Sequence, residues 1–132
     1  MSAHQSARTL VSVVIPVLDE METLPTLRDR LRSALDELDA EVELVFVDDG
    51  STDGSAELIA DWARAEPGIV LVRLSRNFGM EIAMSAGVDN AAGDYVVLMH
   101  ADLQDPPELI PDMLAKANAG ADVVYARRIG SD

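Results

Sequence analysis

Five short runs of β-branched and apolar residues punctuate the chain, and what separates them is helical in period. The runs are Leu10 to Ile15, Val42 to Val47, Ile69 to Leu74, Tyr95 to Met99 and Asp122 to Tyr125. Between the first two, Leu24, Leu27, Leu31, Leu35 and Leu38 recur at three- and four-residue steps, which places one apolar stripe along a helix. Leu58, Ile59 and Trp62 mark a second helix, Ile82, Ala83, Ala86 and Val88 a third, and Leu109, Ile110, Met113 and Leu114 a fourth. Strands that are apolar nearly throughout are buried on both faces, and strand–helix alternation brings parallel strands together through right-handed crossovers. The expected fold is therefore α/β, a three-layer sandwich around a mainly parallel, Rossmann-like sheet. At 132 residues the chain is one domain's worth, expected over residues 10–132 after a flexible stretch at 1–9.

Composition narrows the partners. A formal charge of −14, from 24 carboxylates against ten Lys and Arg, argues against nucleic acid, whose phosphates are bound largely by basic side chains. An anionic ligand would need a cation to accompany it. The absence of Cys excludes disulfides, thiolate metal sites and a thiol nucleophile, and fits a cytoplasmic setting. Met1 to Thr9 lacks the apolar segment of a secretory signal, and no apolar run approaches the ~18 residues of a membrane span.

In doubly wound sheets ligands sit beyond the carboxyl ends of the strands, so the loops that follow the strands carry the functional information. The first is Pro16-Val17-Leu18-Asp19-Glu20, in which proline ends the strand and the acidic pair suits the positive end of the next helix. The second is Asp48-Asp49-Gly50-Ser51-Thr52-Asp53-Gly54-Ser55, with Thr52 or Asp53 suited to cap a helix. Two adjacent carboxylates leaving a buried strand repel each other unless a donor group or a cation joins them. A base amide, a ribose hydroxyl or a metal would each serve. The third loop, Ser75-Arg76-Asn77-Phe78-Gly79-Met80-Glu81, adds a cation and an amide. In the fourth, His100-Ala101-Asp102-Leu103-Gln104-Asp105-Pro106-Pro107-Glu108, a carboxylate is displayed just past a strand, and Pro107 is placed to open a helix whose dipole Glu108 complements. Mg²⁺ and Mn²⁺ commonly bind through one or two such carboxylates together with substrate phosphates.

In order and spacing the four loops resemble those of family-2 glycosyltransferases of the GT-A fold, especially bacterial enzymes similar to dolichyl-phosphate mannose synthase and other polyprenyl-phosphate glycosyltransferases. The likeness runs from about Thr9 to Gly130. It implies a UDP- or GDP-sugar donor held by Pro16, Val17, Glu20, Asp48, Asp49, Met80, His100, Ala101, Asp102, Gln104 and Arg127, with Arg128 as the alternative to Arg127. It also implies Mg²⁺ or Mn²⁺ on Asp102, with His100 as a second ligand, inversion at the anomeric carbon, and a polyprenyl-phosphate acceptor at the inner face of the membrane. Two positions depart from the pattern. His100 stands where the family carries the first Asp of an Asp-x-Asp pair, which implies weakened Mg²⁺ binding because imidazole favours transition metals. Met80 stands where many polyprenyl-phosphate transferases carry a basic residue. The family's catalytic domain continues for roughly a hundred residues more, a usual domain size, and supplies the acceptor-side catalytic groups, so none is assigned here and the chain reads as truncated after its fifth strand. The alternative reading is a GT-A remnant that binds nucleotide or pairs with another subunit; a homodimer is expected through the surface that truncation uncovers. A receiver domain is excluded because the only lysine, Lys116, falls in the fourth helix, and no P-loop or dinucleotide fingerprint occurs.

Overall fold

The computed structural model describes residues 9–36, 38–104, 106–117 and 123–125. Five strands, β1 (Leu10–Val17), β2 (Glu41–Asp48), β3 (Ile69–Arg73), β4 (Tyr95–Leu98) and β5 (Val123–Tyr125), alternate with helices α1 (Leu24–Leu35), α2 (Ser55–Ala65), α3 (Met80–Asn90) and α4 (Ile110–Ala117), the last entered through a 3₁₀ turn at Pro107–Leu109. The strands form one parallel sheet in the order β3-β2-β1-β4-β5. The expected parallel α/β sandwich is therefore what forms. Residues 1–8, Asp105, Asp122, Arg127 and Arg128 lie outside the described residues.

The sheet is sandwiched because β1 is buried on both sides. Val11, Val13, Ile15 and Val17 join Phe46, the leucines of α1, and Ile59 and Trp62 of α2 in the larger core. Val14 faces the other way with Val45, Val47, Val96, Leu98 and Ala83 of α3. Leu24, Leu27, Leu31 and Leu35 are fully or almost fully buried, as their spacing required, and Leu38 packs from the turn beyond the helix.

Three local expectations are corrected. Pro16 does not end β1; it pairs with Val47, and the strand runs on to Val17. In a parallel strand a residue's N–H and C=O point to the same neighbour. Val14 offers its carbonyl to Met99 on the β4 side, whereas Val17 offers its own to Asp49 on the β2 side. Pro16 shares the side of Val14, where β4 has already parted after the Val14–Leu98 pair, so its missing N–H costs no ladder bond.

In α3, Ile82 is about half exposed rather than inward, and the buried positions are Ala83 and Gly87. A Cβ on Gly87 would run into the side chains of Val14 and Val47, so this glycine sets how closely α3 lies on the sheet. In α2 the cap position is Gly54, and neither Thr52 nor Asp53 occupies it; Asp53 instead accepts from the Ser55 backbone N–H (3.0 Å) and hydroxyl (2.5 Å).

Candidate functional site

Parallel strands bring the loops after β1, β2, β3 and β4 to one end of the sheet, and hydrogen bonds join these loops side by side. In the first, Asp19 adopts a left-handed backbone (φ 53°), a conformation that aspartate tolerates better than most residues. Its N–H donates to Ser51 Oγ (2.8 Å), and its Oδ1 accepts from the Thr52 N–H (2.8 Å). The N–H of Glu20 donates to Ser55 Oγ (3.0 Å), and that of Met21 to Asp53 Oδ2 (3.0 Å). Hydrogen bonding from Ser55 holds the Asp53 carboxyl below its ordinary range. Loops one and two therefore form one rigid edge.

The adjacent carboxylates leave β2 in opposite directions, because successive strand residues face opposite sides. Both are buried. Asp49 is fully engaged: Oδ1 accepts from the Phe78 N–H (2.8 Å) and Oδ2 from the Gly79 N–H (3.1 Å), which fastens the third loop to the second. Gly50 completes the junction with a positive φ of 91°, and a Cβ there would stand 2.6 Å from the Asn77 nitrogen. Asp48 is different. Its Oδ2 accepts one long bond from the Ser51 N–H (3.2 Å), and its Oδ1, although buried, has no hydrogen-bond partner. A buried carboxylate oxygen without a donor is costly, and a ligand that brings an N–H or O–H removes the cost.

The fourth loop presents Asp102 in the open. Its Oδ1 accepts from the Gln104 N–H (3.0 Å), which closes a tight turn around Leu103. Leu103 has φ 65°, uncommon for a residue of its size, and its partly buried side chain packs on the core and holds the turn in place. Ala101 is buried and His100 half-buried. The hydroxyl of Thr23 lies 3.1 Å from the Ala101 carbonyl, 2.9 Å from Glu20 Oε1 and 3.2 Å from the Glu20 carbonyl, tying the first loop to the fourth. Glu108, expected to serve the helix dipole, makes a two-pronged pair with Arg30 of α1 (3.0 and 2.6 Å). That pairing lowers the Glu108 pKa and raises that of Arg30.

Of the residues expected to hold a ligand, Pro16, Val17, Glu20, Asp48, Asp49, Met80, His100, Ala101, Asp102 and Gln104 all fall at this end of the sheet or on the loops beyond it; Arg127 lies outside the described residues. Pro16, Val17 and Ala101 contribute backbone and packing, whereas Asp48 and Asp102 offer carboxylate oxygens that protein donors do not saturate. Sequence reading missed Thr23, Ser51 and Ser55 as the side chains that join the loops. Serine and threonine at turns are too common for their type to mark them.

Among the described residues no three His, Asp or Glu side chains gather closely enough to hold a metal unaided. The donor set still suits a hard cation that takes one or two carboxylate oxygens and completes its shell with ligand phosphates and water. Asp102 could supply such an oxygen, and a histidine at position 100 would be a poorer ligand for Mg²⁺ than the carboxylate of the family pattern.

Together these features define a doubly wound α/β protein with a cluster of acidic side chains at the carboxyl ends of its strands. The chain belongs to glycosyl transferase family 2, whose profile it matches over residues 12–132. It is 48% identical over 120 residues to the undecaprenyl-phosphate 4-deoxy-4-formamido-L-arabinose transferase of Aeromonas hydrophila, covering 90% of this chain and 37% of that protein. It is 50% identical over 116 residues to the enzyme of the same name from an Enterobacter strain, covering 86% and 35%. The chain thus spans little more than a third of the length of these relatives. Among solved structures, S. aureus TarS 1–349 superposes with a TM-score of 0.68 at 24% identity, over 83% of this chain and 32% of TarS, a likeness of fold. The mannosyltransferase PcManGT of Pyrobaculum calidifontis, solved with GDP-Man and Mn²⁺, gives a TM-score of 0.61 at 29% identity, over 86% and 32%. The fold is GT-A.

Proposed function

We propose that this chain forms the donor half of an inverting glycosyltransferase that moves a hexose or related sugar from a UDP- or GDP-sugar to polyprenyl phosphate. The observation that carries the reading is the buried, unpartnered Oδ1 of Asp48, set between loops that fix one another and next to a strand end that displays Asp102. An N–H or hydroxyl of the nucleotide satisfies that oxygen, while Glu20, oriented through Thr23, lines the same edge. Asp102, held by its turn, takes the divalent cation that accompanies the diphosphate; when bound, that cation neutralises charge on the departing nucleotide diphosphate. His100 beside it shifts the preference from Mg²⁺ towards Mn²⁺. A polyprenyl phosphate is already anionic, so an attacking oxygen of this kind needs no general base from the chain. The names of the relatives support the acceptor class, and the GDP-Man and Mn²⁺ of PcManGT support the donor and the metal.

Calorimetric titration of UDP, GDP and their sugars, each with and without Mn²⁺, tests the reading. Metal-dependent binding that is lost in Asp102→Ala and strengthened with Mg²⁺ in His100→Asp is expected. Failure of every nucleotide to bind with either metal overturns it.

A further inference from the structure

We infer that Thr23 is a positioning residue that couples the two halves of the donor site: its single hydroxyl proton is contested by Glu20 and the Asp102 loop, so that a nucleotide engaging Glu20 tightens the cation site. The inference rests on the function proposed above and goes beyond it, because a donor site requires neither Thr23 nor any coupling between nucleotide and cation.

Thr23 stands at the N-cap of α1, where a threonine oxygen ordinarily accepts a bond from the backbone N–H of the second or third helical residue. Here it makes no such bond, and Pro25, the second helical residue, has no N–H to give. The hydroxyl instead lies against three acceptors, Glu20 Oε1 at 2.9 Å, the Ala101 carbonyl at 3.1 Å and the Glu20 carbonyl at 3.2 Å. A threonine has one O–H proton to donate among them. The Glu20 carbonyl already accepts from the N–H groups of Thr23 and Leu24, each at 3.0 Å, which occupies its two lone pairs. The contest is therefore between the Glu20 carboxylate and Ala101.

Without a ligand the carboxylate holds the proton, since the shorter bond is also the charge-assisted one. A nucleotide N–H or hydroxyl placed on Glu20 weakens that hold, and the proton passes to Ala101. Ala101 is buried and directly precedes Asp102, whose turn is closed by the Gln104 N–H. A firmer bond to the Ala101 carbonyl restrains that turn before the cation arrives, so less ordering is left for the cation to bring about. Only a hydroxyl need rotate, because Ser55 Oγ holds the Glu20 N–H on one side (3.0 Å) and the turn holds Asp102 on the other. By linkage the effect is reciprocal, and a cation on Asp102 tightens the nucleotide by the same factor.

A nucleoside has no phosphate with which to bridge to a metal, so it separates this coupling from the direct one. The test is Mn²⁺ binding to the chain, read from the electron paramagnetic resonance of free Mn²⁺, with and without saturating uridine or guanosine. In wild type the nucleoside should tighten Mn²⁺ about threefold to tenfold, the worth of one neutral hydrogen bond. Thr23→Val, which keeps the shape and removes the proton, should abolish that gain and leave Mn²⁺ affinity without nucleoside unchanged, while Thr23→Ser should retain the gain. A merely structural role would instead weaken Mn²⁺ in Thr23→Val equally with and without nucleoside, which overturns the proposal. It is also overturned if Thr23→Val keeps the gain or Thr23→Ser loses it. The wild-type measurement decides without any variant: nucleotide or nucleoside binding that leaves Mn²⁺ affinity unmoved by nucleoside overturns the coupling alone. Failure of nucleoside, UDP and GDP all to bind overturns the donor reading and the coupling with it.

Discussion

The two carboxylates at the end of β2 are chemically identical and adjacent in sequence, yet their amide variants should differ sharply. In Asp49→Asn one oxygen becomes an NH₂ group that faces a backbone N–H of the third loop. One charge-assisted bond is lost and a donor is left against a donor. A bond to a charged acceptor contributes about 1.5–3 kcal/mol, so a loss of about 2–3 kcal/mol is expected. With a urea m-value of about 2 kcal/mol per molar for a domain of this size, the midpoint should fall by about 1–1.5 M. Asp48→Asn can keep its carbonyl towards Ser51 and place the amide where Oδ1 already lacks a donor. Loss of one of two neighbouring charges offsets burial of that amide, and the stability change should stay within about 1 kcal/mol. Nucleotide affinity should show the reverse emphasis, with Asp48→Asn weakening GDP or UDP binding about tenfold or more through the lost acceptor. Urea unfolding at neutral pH and calorimetry on the same preparations read both quantities. Equal urea midpoints for the two variants, or nucleotide binding untouched by Asp48→Asn, would refute the division of labour.

Two further outcomes probe the supports of the site. Glu108→Gln should cost under about 1 kcal/mol, because the pair with Arg30 is largely solvent-exposed. Its pH dependence has a definite sign: the Glu108 pKa is lowered by the Arg30 hydrogen bond, so the contribution is full above the unfolded carboxylate pKa and disappears as pH falls through the depressed folded value. Urea unfolding of both proteins across the acid range should show the two curves converging at low pH. Gly87→Ala should destabilise by about 1–3 kcal/mol through overpacking against Val14 and Val47; thermal unfolding that matches wild type would show that α3 is not seated as closely as described.

The order of strands and helices was legible from local pattern alone. Leucines at helical spacing and runs of β-branched residues respond to burial within a few residues of chain, and once the sheet is parallel all loops after strands must meet at one end. The candidate site was therefore located as a set of loops, and the family pattern could be recognised in it. Spacing failed where a position depends on a distant neighbour. Ile82 fits an apolar stripe, but Gly87 fixes the rotation of α3 on the sheet and turns Ile82 outward.

The sequence by itself determined the α/β architecture, the family and the end of the sheet that carries the candidate site, because periodicity and turn chemistry are local properties of the chain. Only the tertiary structure decided which carboxylate was already satisfied. Asp48 and Asp49 differ because one faces two amides that lie 29 and 30 residues further along, while the other has a single long bond and an oxygen without a partner. It likewise gave Glu108 to Arg30, stacked Arg76 on Phe78, and placed Pro16 where no ladder bond was due. Each of these depends on hydrogen bonds, stacking or register between segments that meet only when the sheet is assembled.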